Sequence, residues 1–322
     1  MIEPLKIRPK LIYSPGYDIR WLGLEKLHPF DSCKYSRTWK ALRDRFGDGL
    51  QSATITPTVA SVALLQAIHP PEYLQQLTHS RQIAAALELP SLAWVPSGIL
   101  DRHVLQPMRL ATMGTVIAAK AALEHGIGIN LSGGYHHASR DRGSGFCVYS
   151  DIAIAIASLR QSGQLSPIDS IAIIDLDAHQ GNGLARIFES DRFIHILDMY
   201  NRDIYPQDDR AIARIDCNLP LGSGTRDSEY LAKLHQHLPA FLQQIRPKIA
   251  FYNAGTDIYE DDPLGRLKIS AEGVLARDRL VFQTLVDAGI PVVMVLSGGY
   301  TAESYQLVAR SVGAVCETWG GD

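Results

Sequence analysis

Seven residues of this 322-residue chain, His136, His137, Asp175, Asp177, His179, Asp257 and Tyr300, are of types that hold metals or move protons and fall at the ends of four predicted strands. Asp175, Asp177 and His179 stand at alternate positions in IAIIDLDAHQGNG, residues 171–183. Alternate side chains of an extended chain share a face, so the three converge if the strand runs that far. Two carboxylates and an imidazole, from Asp177, His179 and Asp257, are enough to hold a catalytic zinc, which keeps one position open for water. Such a metal brings water's pKa near neutrality and polarises a carbonyl. A neighbouring histidine has the right pKa to accept the proton, and a tyrosine hydroxyl can donate to the developing oxyanion. These parts suit metal-assisted hydrolysis of an amide or acyl bond. Taken alone, the 171–183 stretch also fits a strand that ends in a solvated acidic turn.

The elements that must position these residues are legible as an alternation of strands and helices. Short apolar runs predict strands at 10–14, 128–131, 171–174, 193–198, 249–253 and 292–296. Residues 62–68 read as strand or helix. Helical spacing or alanine-rich composition predicts helices at 36–46, 108–124, 149–159, 184–188, 230–245 and 271–288, and a last one running to about 316. The stretches 92–105 and 199–214 read as loops. Strands alternating with helices predict an α/β fold with a parallel sheet covered on both faces. No linker-like composition interrupts residues 1–322, so one domain is expected. Four strand ends run into polar or glycine-rich loops, at 131–147, 175–183, 253–262 and 297–301, and a parallel sheet binds ligands at such carboxyl ends.

Composition narrows the function classes. The chain is 46% hydrophobic and 20% charged, with a net charge of −3 and no long basic run, so no direct nucleic-acid binding is expected. Cys33, Cys147, Cys217 and Cys316 form no CxxC pair or disulfide framework, which fits a reducing compartment. The N-terminus has no signal-peptide pattern and no apolar run reaches membrane-spanning length, so a cytoplasmic location and no membrane span are expected.

The segments SGGYHHASRDRGSGFC, IIDLDAHQGNG, NAGTDIYEDDPLGRL and LSGGY, in this order, resemble the four signatures of the zinc-dependent histone deacetylase family. GLEKLHPFD, YNRDIYP and the asparagine of HQGNG are similar to its class IV branch. The resemblance spans roughly residues 11–315. It implies the arginase/deacetylase fold, with a central parallel sheet of about eight strands. It implies zinc held by Asp177, His179 and Asp257, with His137 as general acid–base and His136 as electrostatic support. Asp175 would orient His136, Asn182 would orient His137, and Tyr300 would be the oxyanion donor. Asparagine holds an imidazolium less strongly than the aspartate many relatives carry there. Gly145 and Phe146 would line an acyl channel, with His28 at its edge. A potassium ion would sit on backbone carbonyls of Asp175, Asp177 and His179, joined by Asp198. Ser297, Gly298 and Gly299 match the pattern that leaves space for long fatty acyl chains in class IV members.

The substrates expected on this basis are an acyl-lysine protein or peptide carrying acetyl or a long-chain acyl group. Acetylpolyamines and other small N-acyl amines would use the same chemistry. An arginase-like manganese pair needs further carboxylates, and Tyr259 stands where one would be expected. A binding protein on an inactive fold is disfavoured by the intact set of polar residues. The acidic run Glu260, Asp261 and Asp262 reads as a solvated loop.

Overall fold

The computed structural model describes residues 7–20 and 31–320. His28 lies outside the described residues. Among the described residues, eight parallel strands form one sheet: β1 (Lys10–Ile12), β2 (Thr54–Ile55), β3 (Ile127–Asn130), β4 (Ile171–Asp175), β5 (Ile194–Asp198), β6 (Cys217–Asn218), β7 (Ile249–Asn253) and β8 (Val292–Val295), in the order β2-β1-β3-β8-β7-β4-β5-β6. Every residue of β3, β4, β7 and β8 is buried. Their runs of isoleucine, valine and alanine do not alternate with polar residues because helices cover both faces. Each large apolar side chain removed from water in these strands contributes roughly 1.5–3 kcal/mol.

Helices Gln106–His125 and Asp151–Gln161 pack on one another, as do Lys34–Phe46 with Ser304–Trp319 and Asp227–Ile245 with Ala271–Asp287. Gly126 ends the first of these at a φ of 83°, with its N–H on the Ala122 carbonyl, and so turns the chain directly into β3. Several expectations differ in detail. The stretch expected as a loop at 92–105 is helical from Ser97 onward and leads into the Gln106–His125 helix. Residues 62–65 are helical, capped by the Ser61 hydroxyl. The edge strands β2 and β6 have only two residues each, too few for a periodic signal. Pro239 lies inside the Asp227–Ile245 helix without ending it.

The four strands with polar carboxyl ends, β3, β8, β7 and β4, are neighbours at the centre of the sheet. Their ends therefore open onto one place.

Candidate metal and amide-hydrolysis site

Strand β4 stops at Asp175, and residues 176–179 leave the ladder in a bend. The three polar side chains do not share a strand face. The bend instead turns Asp177 and His179 toward Asp257, which follows β7, and donor atoms of all three buried residues lie within 4.8 Å of one another. His179 Nδ1 lies 2.8 Å from Asp257 Oδ2 and 3.0 Å from Asp177 Oδ1. Backbone amides fix the carboxylates: Ala178 N–H donates to Asp257 Oδ1 at 2.9 Å, and Gly298 N–H to Asp177 Oδ2 at 2.8 Å. A side chain at 298 is impossible here, since a Cβ would stand 2.3 Å from Asp257 Oδ2. Burial first, and Asp177 second, push the Asp257 carboxyl up to about 7. Burial opposes a charge on His179, but its hydrogen bonds to Asp177 and Asp257 outweigh that and raise it to about 10. Two buried carboxylates and an imidazole nitrogen this close form the donor set of a catalytic zinc site, so these residues fit that ion.

His136 and His137 follow β3, with ring centroids 4.1 Å apart. Their loop is held by Asp151, whose carboxylate accepts the Gly134 and Tyr135 N–H groups at 3.0 and 2.8 Å. His136 Nδ1 contacts Asp175 Oδ2 at 2.8 Å, and Asn253 donates to the other Asp175 oxygen at 2.8 Å. Burial alone would lower His136, but Asp175 and Asp177 raise it to about 9. His137 Nδ1 contacts Asn182 Oδ1 at 2.9 Å. Burial, then its neighbours His136 and His179, hold His137 well below the ordinary histidine value. Adjacent histidines are thus driven apart, one cationic and one neutral.

Tyr300 follows β8 and is half-buried, its ring 5.9 Å from that of His179. Burial and then Asp257 hold its hydroxyl well above the ordinary tyrosine value, so it remains a donor. Two buried groups brace its turn. Asp262 accepts the Tyr300 N–H at 2.8 Å, and Lys34 donates to the Ser297 and Gly298 carbonyls at 2.6 and 2.9 Å. Asp262 is thus 5% exposed and structural, unlike the solvated loop its acidic neighbours suggest. Lys34 was not legible as a site residue, since a lysine at a helix start carries no local signal of burial.

A cavity of about 30 Å³ is lined by Tyr35, His136, His137, Gly145, Phe146, Cys147, Asp177, Ser297, Gly298 and Tyr300, among others. Gly145 must lack a side chain, because a Cβ would meet His137 at 2.4 Å. Gly299, expected along the same channel, faces Thr256 and Ser304 behind the wall. The outer cleft, of about 390 Å³, joins His137, His179 and Tyr300 to Glu88, Ile204, Tyr205, Pro263, Leu264 and Arg266. Tyr205 stands edge-on to His137 at 5.3 Å. Its motif was visible in the sequence, but its place at the cleft was not.

A parallel α/β sheet carrying an Asp–His–Asp cluster, a histidine pair and a tyrosine at its central strand ends defines a hydrolase of amide bonds. The sequence profile of the histone deacetylase domain matches residues 28–316, and the chain belongs to that family. It is 43% identical over 306 residues to histone deacetylase 2 of Arabidopsis thaliana, covering 94% of this chain and 77% of that protein. It is 33% identical over 308 residues to a probable deacetylase of Methanothermobacter thermautotrophicus, covering 91% and 86%. The solved HDA15 HD domain shares the fold, with a TM-score of 0.76 over 98% of this chain and 90% of that one at 17% identity.

Proposed function

We propose that this deacetylase is a zinc-dependent enzyme, read as a single catalytic domain, that removes an acetyl group from the ε-amino group of lysine in a protein or peptide. The observation that carries this reading is the convergence of Asp177, His179 and Asp257 with His136, His137 and Tyr300 on one cavity. Asp177, His179 and Asp257 would hold the zinc. When bound, that ion supplies an activated water and polarises the amide carbonyl. Among the chain's own groups, Asn182 fixes the Nδ1–H tautomer of neutral His137 and leaves Nε2 as the base that takes the water's proton. The same nitrogen then returns a proton to the departing amine. Tyr300 donates its hydroxyl to the carbonyl oxygen as negative charge develops there. His136, kept cationic by Asp175, adds positive charge beside that oxygen without giving up its proton.

The cavity size favours acetyl. About 30 Å³ is the room of roughly two water-sized groups, on a scale where one needs about 10–15 Å³. The turn at 297–299 bounds this cavity through Ser297 and Gly298. That turn is tied down by Lys34, by the Ser297 hydroxyl on the Gly134 carbonyl, and by the Ser297 N–H on the Gly133 carbonyl. The class IV pattern at Ser297 and Gly298 still makes long-chain deacylation the second reading. A series of acetyl-, octanoyl- and myristoyl-lysine peptides, run beside acetylspermidine on the zinc-loaded protein, decides between them. Fastest turnover of the acetyl peptide supports the reading. Preference for myristoyl, or for the polyamine, replaces it.

A potassium ion beside the zinc strand also fits. Asp198 is fully buried, one oxygen accepting from Gly181 N–H at 2.9 Å and the other without a hydrogen-bond partner among the described residues. Burial and the facing Asp175 hold its carboxyl well above the ordinary value, a strain that a monovalent cation on Asp198 and the carbonyls of Asp175, Asp177 and His179 would relieve. No described helix is long and apolar enough to cross a membrane. The cytoplasmic setting expected from the sequence belongs to this reading, and the cysteine pattern fits it.

A further inference from the structure

Beneath the Asp177–His179–Asp257 cluster lies a buried cation that the reaction above does not use. Arg277, on the Ala271–Asp287 helix, is fully buried. Its Nη1 donates to the Leu176 carbonyl at 3.2 Å and to the Gly255 carbonyl at 2.5 Å. Leu176 immediately precedes Asp177, and Gly255 stands two residues before Asp257. Both carbonyls lie past the ends of their strands, since β4 stops at Asp175 and β7 at Asn253. The Leu176 N–H still reaches the Asn253 carbonyl at 3.0 Å, and there the pairing of the two strands ends. One guanidinium nitrogen then ties the two segments together where the ladder has run out. The neighbouring amides are held as well, Asp177 N–H by Asp175 Oδ1 at 3.3 Å and Thr256 N–H by the Gly298 carbonyl at 3.1 Å.

Arg277 does not present an unopposed charge to the site. Its Nε donates to Asp278 Oδ1 at 2.9 Å, Nη2 lies 2.9 Å from the same oxygen, and that oxygen also receives the Tyr252 hydroxyl. A buried ion pair is weak evidence for stability, because apolar replacements of the same volume are often neutral or better. What an apolar pair cannot do is bridge two carbonyls. Lysine can reach two carbonyls, as Lys34 does, but its single nitrogen cannot also hold Asp278, so the pairing that fixes where the bridge stands is lost.

We propose that Arg277 is a positioning residue for the metal: by tying the Leu176 and Gly255 carbonyls together it sets the separation of Asp177 and Asp257, and with it the affinity and ligand geometry of the site. The inference rests on the zinc reading above.

The test compares wild type, Arg277→Lys, the apolar double variant Arg277→Met/Asp278→Leu, and Val281→Ala, a buried position on the same helix. Each folded protein is titrated with Zn²⁺ against a chelator, and its Co²⁺ form is examined by visible absorption. The double variant is expected to lose roughly 10- to 100-fold in zinc affinity, as partners behind metal ligands do, with some fall in melting temperature because the Tyr252 hydroxyl and two buried carbonyls lose their partner. Its Co²⁺ bands should shift, and with Zn²⁺ saturating, kcat should fall while KM holds. Arg277→Lys should give the same pattern, and it carries the test alone if the double variant does not fold. Val281→Ala should lower the melting temperature and leave affinity and bands in place. Unchanged zinc affinity and Co²⁺ bands in the arginine variants overturn the proposal, as does an equal loss in Val281→Ala. A wild-type protein that takes up no zinc overturns the functional reading itself, a result distinguishable from either.

Discussion

The floor of the cleft and its rim are built in different ways. Every floor group is buried or half-buried, follows one of the four central strands, and is held by hydrogen bonds to groups that are themselves buried or half-buried. The rim comes from segments outside those strands. Glu88, Arg266 and Tyr205 are exposed, and Glu88 and Arg266 adopt left-handed φ values of 57° and 54°, as do Phe146 at 62° on the loop between and Ser297 at 48° in the floor's own turn. One of the rim's links is Glu88 Oε1 accepting the Gly145 N–H at 2.8 Å. Such backbone strain persists at functional sites only where the surroundings over-determine it. The difference suggests that chemistry resides in the floor and substrate choice in the rim, and substitutions in the two should differ in size and in kind.

The largest effect is expected at the floor's centre. Asp257→Ala should leave the protein folded but without bound zinc by elemental analysis, and bring deacetylation to background. Near-normal metal content with near-normal rate would remove Asp257 from the site. Next, Tyr300→Phe should lower kcat about 100- to 1,000-fold with little change in KM, as for loss of one oxyanion donor. Retained full activity would leave the floor without its electrophilic side.

These two predictions concern residues that sequence motifs reveal, and the reason is physical. A strand end that must present a ligand has little freedom in residue type, so Asp177, His179, Asp257 and the histidine pair are visible as types at spacings. The supporting groups carry no such mark. Arg277 sits on a helix whose pattern reads as amphipathic, where an arginine normally means a solvated face. Asp262 hides in an acidic run. Lys34 opens a helix that packs against the last one, and nothing local shows that its ammonium reaches two carbonyls some 263 residues away in sequence. The central strands were legible from apolar runs, whereas β2 and β6 were too short to be, and the 92–105 segment broke its helix signal with Pro96 and Gly98. The convergence comes from the bend after Asp175, where the alternate spacing in the sequence predicts it only if the strand continues.

Between floor and rim lies the loop at 139–150, which carries Gly145 and Phe146 and is anchored from below by His69. His69 Nδ1 contacts the Arg140 carbonyl at 2.8 Å, and its Nε2 accepts the Ser150 N–H at 3.0 Å. Only the neutral ring with its proton on Nδ1 satisfies both. Burial lowers His69 to about 4 from an ordinary 6.5. The unfolded chain therefore binds this proton more readily than the folded one. The contribution is fully present above about pH 6.5 and is lost as pH falls toward 4, by up to about 3 kcal/mol. Denaturant unfolding at pH 7 and pH 5 should show this drop, and His69→Gln should flatten it. An equal drop in the variant would place the acid sensitivity elsewhere.

The smallest effects belong at the rim. Arg266 lines the same cleft as His137, His179 and Tyr300 but is exposed, on a loop whose backbone accepts from Gly224 N–H at 2.8 Å. An exposed cation contributes little binding energy, because water competes for it and salt screens it. Arg266→Ala should therefore change KM by only a few-fold, should do so more for peptides with acidic residues flanking the acyl-lysine than for basic ones, and should leave kcat and zinc affinity unchanged. The flanking-charge dependence should fade with added salt. A large fall in kcat or loss of zinc would mean that Arg266 reaches the chemistry and that floor and rim are one unit. A KM change indifferent to flanking charge and salt would mean that the rim selects by shape alone.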